Sequence, residues 1–208
     1  MSESKFYHFT STGLFYGVKN VEEAITSLAE GGFIWLNFYN PPMEEIHSLV
    51  DTIGVHPLSV EDCLDSSQVP KIEHFPNNTF IIFNAFSYKN RTLFIDEIDL
   101  FIGKNFLITV SGINSGDRKP LGGVARIIEN DPSLAKEGPA FLMHVVMDYV
   151  VDEKMHAFEA LEDELEAFFA GVSENEASSK PAPNEWSIKE VVAHLIQGEQ
   201  AWHQALAD

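Results

Sequence analysis

Residues 98–110 read IDLFIGKNFLITV, two apolar runs joined by Gly103, Lys104 and Asn105. Alternate residues of the first run share one face of a strand, and the short turn lets the second run return beside it. The pattern therefore predicts an antiparallel hairpin whose strands are both largely apolar.

Further strand and helix signals lie on the N-terminal side of this hairpin. The run FIIFNAF at residues 80–86 is apolar on both faces, as an interior strand would be, and the aromatic run at residues 33–38 is a second strand-like segment. Helices are indicated after Asn20, over residues 43–53 and from Pro57 onwards. This alternation predicts an α/β fold, a mixed β-sheet flanked by helices in an α/β/α sandwich.

The chain divides into four segments of different composition. Residues 1–137 carry the signals of the α/β domain, and residues 138–170 read as one long, stalk-type helix. Residues 171–184 are polar and contain proline, which is typical of a linker. Residues 185–208 are predicted to form a separate C-terminal helix.

The chain is strongly acidic, with 32 Asp and Glu against 13 Lys and Arg and a formal net charge of −19. Such a chain repels phosphate backbones and attracts cations, so we expect no nucleic-acid partner. Its single cysteine, Cys63, excludes an internal disulfide framework. No signal peptide is recognisable and no run approaches the ~20 apolar residues that cross a bilayer, so we expect these residues to be soluble.

Enzyme signatures are absent from the sequence. It contains no phosphate-binding loop, GxGxxG, HExxH or GxSxG pattern, and Cys63 has no neighbouring residues that would activate it. We therefore predict that the chain is not an enzyme and that Cys63 is a buried bystander thiol.

Acidic residues on two predicted helices are candidate metal ligands. Glu61 and Asp62 lie on the short helix that begins at Pro57, and Asp148 and Asp152, four residues apart, share a face of the long helix. Oxygen ligands on rigid helices suit Mg²⁺, which keeps much of its water and needs only one or two carboxylates. The same spacing describes the solvated face of an amphipathic helix, so spacing alone leaves both interpretations open.

Several segments resemble the CorA family of magnesium transporters. HPLSVEDCL at residues 56–64 is similar to the family pattern HPL-x-x-ED-x-L, and QVPKIE at 68–73 is similar to QRPKVE, with valine in place of the arginine. The hairpin at 98–110 resembles ISFFLGKNYLITV, and the start of the long helix at 138–152 resembles GPDYLLYALLDAIVD. The resemblance covers about residues 15–169, with its elements in the family's order and spacing.

This resemblance implies a homopentameric channel for Mg²⁺ that also passes Co²⁺ and Ni²⁺, with the α/β/α domain on the cytoplasmic side of the cell membrane. It implies that Mg²⁺ bound between neighbouring subunits holds the pore closed. Asp62 falls on the sensing aspartate, Glu61 and Asp148 fall on neighbouring metal-binding positions, and Asp152 is a weaker candidate. A zinc-exporting branch shares the fold, so Zn²⁺ remains an alternative ion.

The sequence also departs from the CorA pattern. The Gly-Met-Asn selectivity motif, both membrane helices and the stalk aspartate that pairs with the sensing aspartate do not occur in these 208 residues. We therefore expect the chain to be a truncated form whose transport and membrane attachment depend on a missing part.

Residues 180–208 resemble the first helix of DinB-like four-helix proteins, with the pattern P-x-x-x-W-S-x-x-E-V-x-x-HL. Ser187 and Glu190 have the spacing of a capping box. The matching histidine in that family is often a metal ligand, which makes His194 a weaker metal candidate. One helix cannot form such a site, and the alternative is an amphipathic helix with a half-exposed histidine.

The sequence thus predicts the cation-sensing regulatory domain of a CorA-type divalent metal ion transporter. The alternatives are a soluble interaction module that binds a partner through its long helix, or a zinc-transporting relative of the same fold.

Overall fold

The computed structural model describes residues 4–10, 12, 15–65, 68–113, 115–135 and 137–207. The chain forms two compact units, residues 1–159 and residues 160–208.

A seven-stranded mixed sheet is the framework of the first unit as far as the structure describes it. The strands are β1 (Lys5–Phe9), β2 (Phe15–Val18), β3 (Phe33–Tyr39), β4 (Lys71–His74), β5 (Thr79–Lys89), β6 (Thr92–Ile102) and β7 (Phe106–Ser111). Their order is β2-β1-β3-β7-β6-β5-β4. The strands β3 and β7 pair parallel, and the other neighbouring strands pair antiparallel.

Helices cover both faces of this sheet. The helices of the chain are α1 (Val21–Ser27), α2 (Met43–Thr52), α3 (Pro57–Leu64), α4 (Val124–Asn130), α5 (Pro139–Ala170), α6 (Glu174–Ser178) and α7 (Ile188–Ala207). Short 3-10 turns follow α1 at Leu28–Glu30 and α4 at Pro132–Ala135. Buried residues of α1, α2 and α3 join one apolar cluster. Those of α4, together with Leu142, Val146 and Val150 of α5, join a second cluster.

The two clusters lie on opposite faces of the sheet because strand side chains alternate. On β3, Trp35 packs in the cluster with α5, whereas Ile34 and Leu36 pack in the cluster with α2 and α3. All three are fully buried. The predicted α/β/α sandwich is therefore confirmed.

The predicted hairpin over residues 98–110 is also confirmed, as β6 and β7. Its turn is closed by a hydrogen bond from the Gly103 amide to the Phe106 carbonyl at 3.0 Å. The β5–β6 hairpin extends further than the apolar runs suggested. Its turn places Asn90 at φ 52° and Arg91 at φ 61°, left-handed conformations that asparagine tolerates better than most residues.

In the second unit, the connection after α5 contains more structure than the predicted linker. The helix α6 lies within residues 171–184, the segment predicted to be a linker. It begins with a capping box, in which the Ser173 amide donates to Glu176 Oε2 at 2.9 Å and the Glu176 amide donates to Ser173 Oγ at 3.4 Å. This local pairing explains how a polar segment forms a helix here.

Candidate metal site

The short helix α3 positions the two acids that the sequence singled out first. His56 caps its N-terminus, its side chain accepting a hydrogen bond from the Leu58 amide, and Pro57 occupies the first turn. Val60 and Cys63 are buried in the sheet cluster. The helical repeat then turns the two acids between them, Glu61 and Asp62, away from the core.

Asp62 forms an ion pair that the sequence analysis did not predict. The Lys71 ammonium donates to Asp62 Oδ2 at 2.8 Å and also lies 3.3 Å from Glu73 Oε2. Lys71 and Glu73 belong to the edge strand β4, which runs beside α3. The hydrogen bond that Lys71 donates to Asp62 raises the pKa of Lys71, so the lysine stays charged and Asp62 already has a counter-ion.

Beneath α3 lies a carboxyl group that the sequence analysis also missed. Asp99 projects from β6 into the apolar cluster beside Cys63, with 3% of its surface exposed. Burial and the charge of Glu97 raise the pKa of Asp99 well above its ordinary value. The available signal was a single acid inside the apolar run IDLFI, on the strand face opposite Ile98 and Leu100.

Cys63 is a buried thiol, as predicted. Burial, together with the neighbouring Asp99, raises the pKa of its thiol well above the ordinary value. The thiol therefore stays protonated, which agrees with a structural rather than a reactive cysteine.

The candidate acids of α5 lie on the other side of the sheet. Asp148 and Asp152 are exposed, while Val146 and Val150 of the same helix are buried in the cluster opposite to that of α3. Within one chain, the fold therefore does not bring Asp148 or Asp152 to Glu61 and Asp62. No three His, Cys, Asp or Glu side chains of the described residues come together so that they could hold a metal ion.

The histidine of the C-terminal helix is exposed. The His194 ring packs edge-on against Trp186, with 4.8 Å between ring centroids. The predicted capping box is present, since the Ser187 amide donates to Glu190 Oε2 at 2.8 Å and the Glu190 amide donates to Ser187 Oγ at 3.3 Å. The role of His194 as a metal ligand stays a prediction.

The sequence model of the family described as "CorA-like Mg2+ transporter protein" matches residues 30–183, which is more than half of the chain. This chain belongs to that family. The matched CorA-like region contains the whole of α3 and α5 and ends before α7. Membership of a transporter family agrees with the prediction that the chain is not an enzyme.

Named relatives of this CorA-like chain include two bacterial proteins. A Bacillus subtilis protein named for metal ion transport, YfjQ, is 29% identical over 151 residues, which are 71% of this chain and 45% of that protein. The cobalt/magnesium transport protein CorA of Thermotoga maritima is 28% identical over 150 residues, 71% of this chain and 41% of that protein. The chain thus spans less than half the length of these relatives.

A solved structure shares the CorA-like fold. The soluble domain of CorA from Methanocaldococcus jannaschii superposes with a TM-score of 0.64 at 20% sequence identity, covering 80% of this chain and 64% of that one. The likeness agrees with the predicted α/β fold followed by a long helix. Among the described residues, no helix is both long and apolar enough to cross a membrane.

Proposed function

We propose that this chain is the metal-sensing domain of a CorA-type divalent cation transporter and acts on the cytoplasmic side of the cell membrane. Mg²⁺, or Co²⁺, Ni²⁺ or Zn²⁺ in its place, binds at Asp62 between neighbouring copies of the domain and biases a pore formed elsewhere in the protein. The observation that carries this proposal is the placement of Asp62. In a chain of this family, it lies partly exposed, next to the exposed Glu61, and its carboxylate is held by one lysine.

Lys71 gives the proposed site an exchange mechanism. A cation that binds Asp62 has to displace the Lys71 ammonium, because both compete for the same carboxylate oxygens. Glu73 lies close enough to keep Lys71 paired after this exchange. The exchange therefore costs less than the loss of an isolated ion pair, and it makes the apparent affinity for Mg²⁺ depend on Lys71.

The remaining ligands come from a second copy of the chain. Asp148 lies on the opposite face of the sheet from Asp62, so it can reach such a site only from a neighbouring molecule. Mg²⁺ retains several of its waters and is commonly held by one or two carboxylates. A shared site of this kind links metal binding to self-association, in line with an oligomeric assembly such as a homopentamer.

A matched pair of variants tests the role of Asp62. Asp62→Asn and Lys71→Met both remove the same ion pair, but only Asp62→Asn removes the proposed ligand. We expect Mg²⁺ to raise the melting temperature of the wild type and to have no effect on Asp62→Asn. Lys71→Met should respond at lower Mg²⁺ concentrations, because binding of a ligand to the folded state alone stabilises it according to its affinity.

The control is Asp51→Asn, an exposed acid of α2 that should leave the Mg²⁺ response unchanged. Sedimentation velocity with and without Mg²⁺ measures association in the same samples. An undiminished response in Asp62→Asn would remove this residue from the proposal.

A second candidate function is an interaction module that binds a partner through the long helix. It is favoured by the apolar residues near the C-terminal end of α5, where Leu165, Phe168 and Phe169 are each more than 40% exposed. Capture of a full-length transporter by the immobilised chain, equally in Mg²⁺ and in EDTA, would favour this function over metal sensing.

A further inference from the structure

A groove lies between the consecutive helices α2 and α3 on one face of the sheet. It has a volume of about 430 Å³, which is within the range of ligand sites in proteins. Side chains that recur at helical spacing form its two walls: Met43, His47 and Val50 of α2, and Val60, Glu61 and Leu64 of α3. Each set shares one face of its helix, so two parallel stripes of side chains border the groove.

The groove is largely apolar and accessible from outside. Val60 is buried, Val50 and Leu64 are partly buried, and Met43 has 57% of its surface exposed. At 1.5 Å per residue, Met43 and Val50 lie about 10 Å apart along α2, which is about two helical turns. An amphipathic helix presents its apolar side chains at intervals of one or two turns, and apolar grooves between helices commonly bind such helices.

The surface around the groove carries negative charge of one sign only. None of the 13 lysine and arginine residues of the chain falls within residues 20–70, the segment that contains α1, α2 and α3. Glu61 lines the groove, is exposed, and forms no ion pair with any residue that the structure describes. The next lysine along the chain, Lys71, is held by Asp62 and Glu73 and does not line the groove. The groove therefore attracts positively charged groups.

The exposed apolar end of α5 is poorly suited to fill this groove in a second copy of the chain. Leu165, Phe168 and Phe169 are each more than 40% exposed there. However, α5 contains acids but no lysine or arginine after Lys154, so it would bring negative charge to a negative surface. Charge complementarity favours a partner that is itself basic.

We propose that the groove between α2 and α3 binds an amphipathic helix of a basic partner protein. Apolar side chains on one face of that helix pack between Met43, Val50 and Leu64, and a lysine or arginine beside them pairs with Glu61. Opposite charges steer the partner towards the groove, and the apolar contacts fix its position. Asp62 does not line the groove, so this interaction does not depend on the proposed metal sensing.

A synthetic helical peptide of leucine and lysine, with all its leucines on one face, tests the proposal. The full chain is titrated into the fluorescein-labelled peptide in EDTA, and fluorescence anisotropy measures binding. The control peptide has the same composition, but its leucines are distributed around the helix. It should bind at least about tenfold more weakly, because burial of one leucine side chain is worth at least a tenfold change in affinity. Since EDTA removes divalent cations, failure of this test would leave metal binding at Asp62 unaffected.

Two pairs of matched variants locate the binding site. Met43→Gln should weaken binding of the peptide with one leucine face by about fivefold, because it removes apolar contact in the groove. Glu61→Gln should weaken binding by about two- to fivefold, as expected for the loss of an exposed ion pair. The controls Met155→Gln and Asp148→Asn change a similarly exposed methionine and an exposed acid on α5, and both should bind like the wild type.

Three results would overturn the proposal. Equal affinity for the two peptides would show that charge alone accounts for binding. Equal weakening by the control variants and by Met43→Gln and Glu61→Gln would place the peptide elsewhere. A lower sedimentation coefficient of Met43→Gln, measured without peptide, would show that a second copy of the chain occupies the groove in place of a basic partner.

Discussion

Replacing Asp99 by valine tests whether the acid beneath α3 destabilises the fold. Asp99 lies on β6 between Ile82 of β5 and Val110 of β7, and its Oδ1 atom has no hydrogen-bond partner among the described residues. A buried polar atom without a partner costs about 1–3 kcal/mol. Asp99→Val removes that cost and packs an apolar side chain beside two apolar neighbours. We expect the free energy of unfolding at neutral pH to rise by about 1–3 kcal/mol.

The increase in the free energy of unfolding caused by Asp99→Val should depend on pH in a defined direction. The folded-state pKa of Asp99 is raised by burial, whereas an unfolded aspartate titrates near about 3.9. Between these two values the folded protein holds a proton that the unfolded chain has released. Wild-type stability therefore falls as the pH rises through this window, and it levels off above the folded-state pKa. Valine holds no proton, so the stability difference between variant and wild type should widen from about pH 4 upwards.

Urea unfolding at a series of pH values, followed by intrinsic fluorescence, measures this difference. The matched control is Asp96→Val on the same strand. The Asp96 carboxylate accepts two hydrogen bonds from Arg118, at 2.7 and 2.8 Å. Removing this carboxylate should therefore lower the free energy of unfolding by about 1.5–3 kcal/mol. The reasoning about Asp99 is refuted if Asp99→Val is less stable than the wild type at neutral pH, or if their difference is the same at every pH.

Two further pairs of substitutions test the packing of the first unit. Leu142→Ala, at a fully buried position of α5, should lower the free energy of unfolding by about 2–5 kcal/mol in urea titrations. The control is Met155→Ala, at a half-exposed position of the same helix, which should change this free energy by less than about 0.5 kcal/mol. Gly112→Ala should lower the melting temperature more than Gly116→Ala. Both glycines have positive φ, but only at Gly112 would the new Cβ meet the ring of Tyr39, at 2.6 Å; equal losses would contradict this.

Much of the sheet could be predicted because its inner strands are marked by local sequence. The residues of β3 and β7 are apolar almost throughout, as expected of strands buried on both faces, and a glycine marks the β6–β7 turn. Strand β2 was not predicted, since its burial pattern shows no buried residue and its sequence is only four residues long. The turn of the β5–β6 hairpin contains Asn90 and Arg91 but no glycine, so the usual hairpin signal was missing.

The candidate site could be predicted only in part. Glu61 and Asp62 were found because the HPLSVEDCL segment is local in sequence. The pairing of Asp62 with Lys71 was not found, because it depends on how β4 lies beside α3 in three dimensions. The burial of Asp99 likewise depends on which face of β6 meets α3. The metal-binding roles of Glu61, Asp62, Asp148, Asp152 and His194 stay predictions, since they depend on a bound ion and on further copies of the chain.

The parallel pairing of β3 with β7 has a consequence for how the chain folds. It joins residues far apart in sequence, such as Asn37 and Thr109, which are 72 positions apart. On either side of this parallel pair, the sheet is built from strands that are closer together along the chain, in the groups β2-β1-β3 and β7-β6-β5-β4. Contacts between distant residues form slowly because a long loop must close first. We therefore expect these two antiparallel groups of strands to form early. The pairing of β3 with β7, which joins them, should then limit the folding rate.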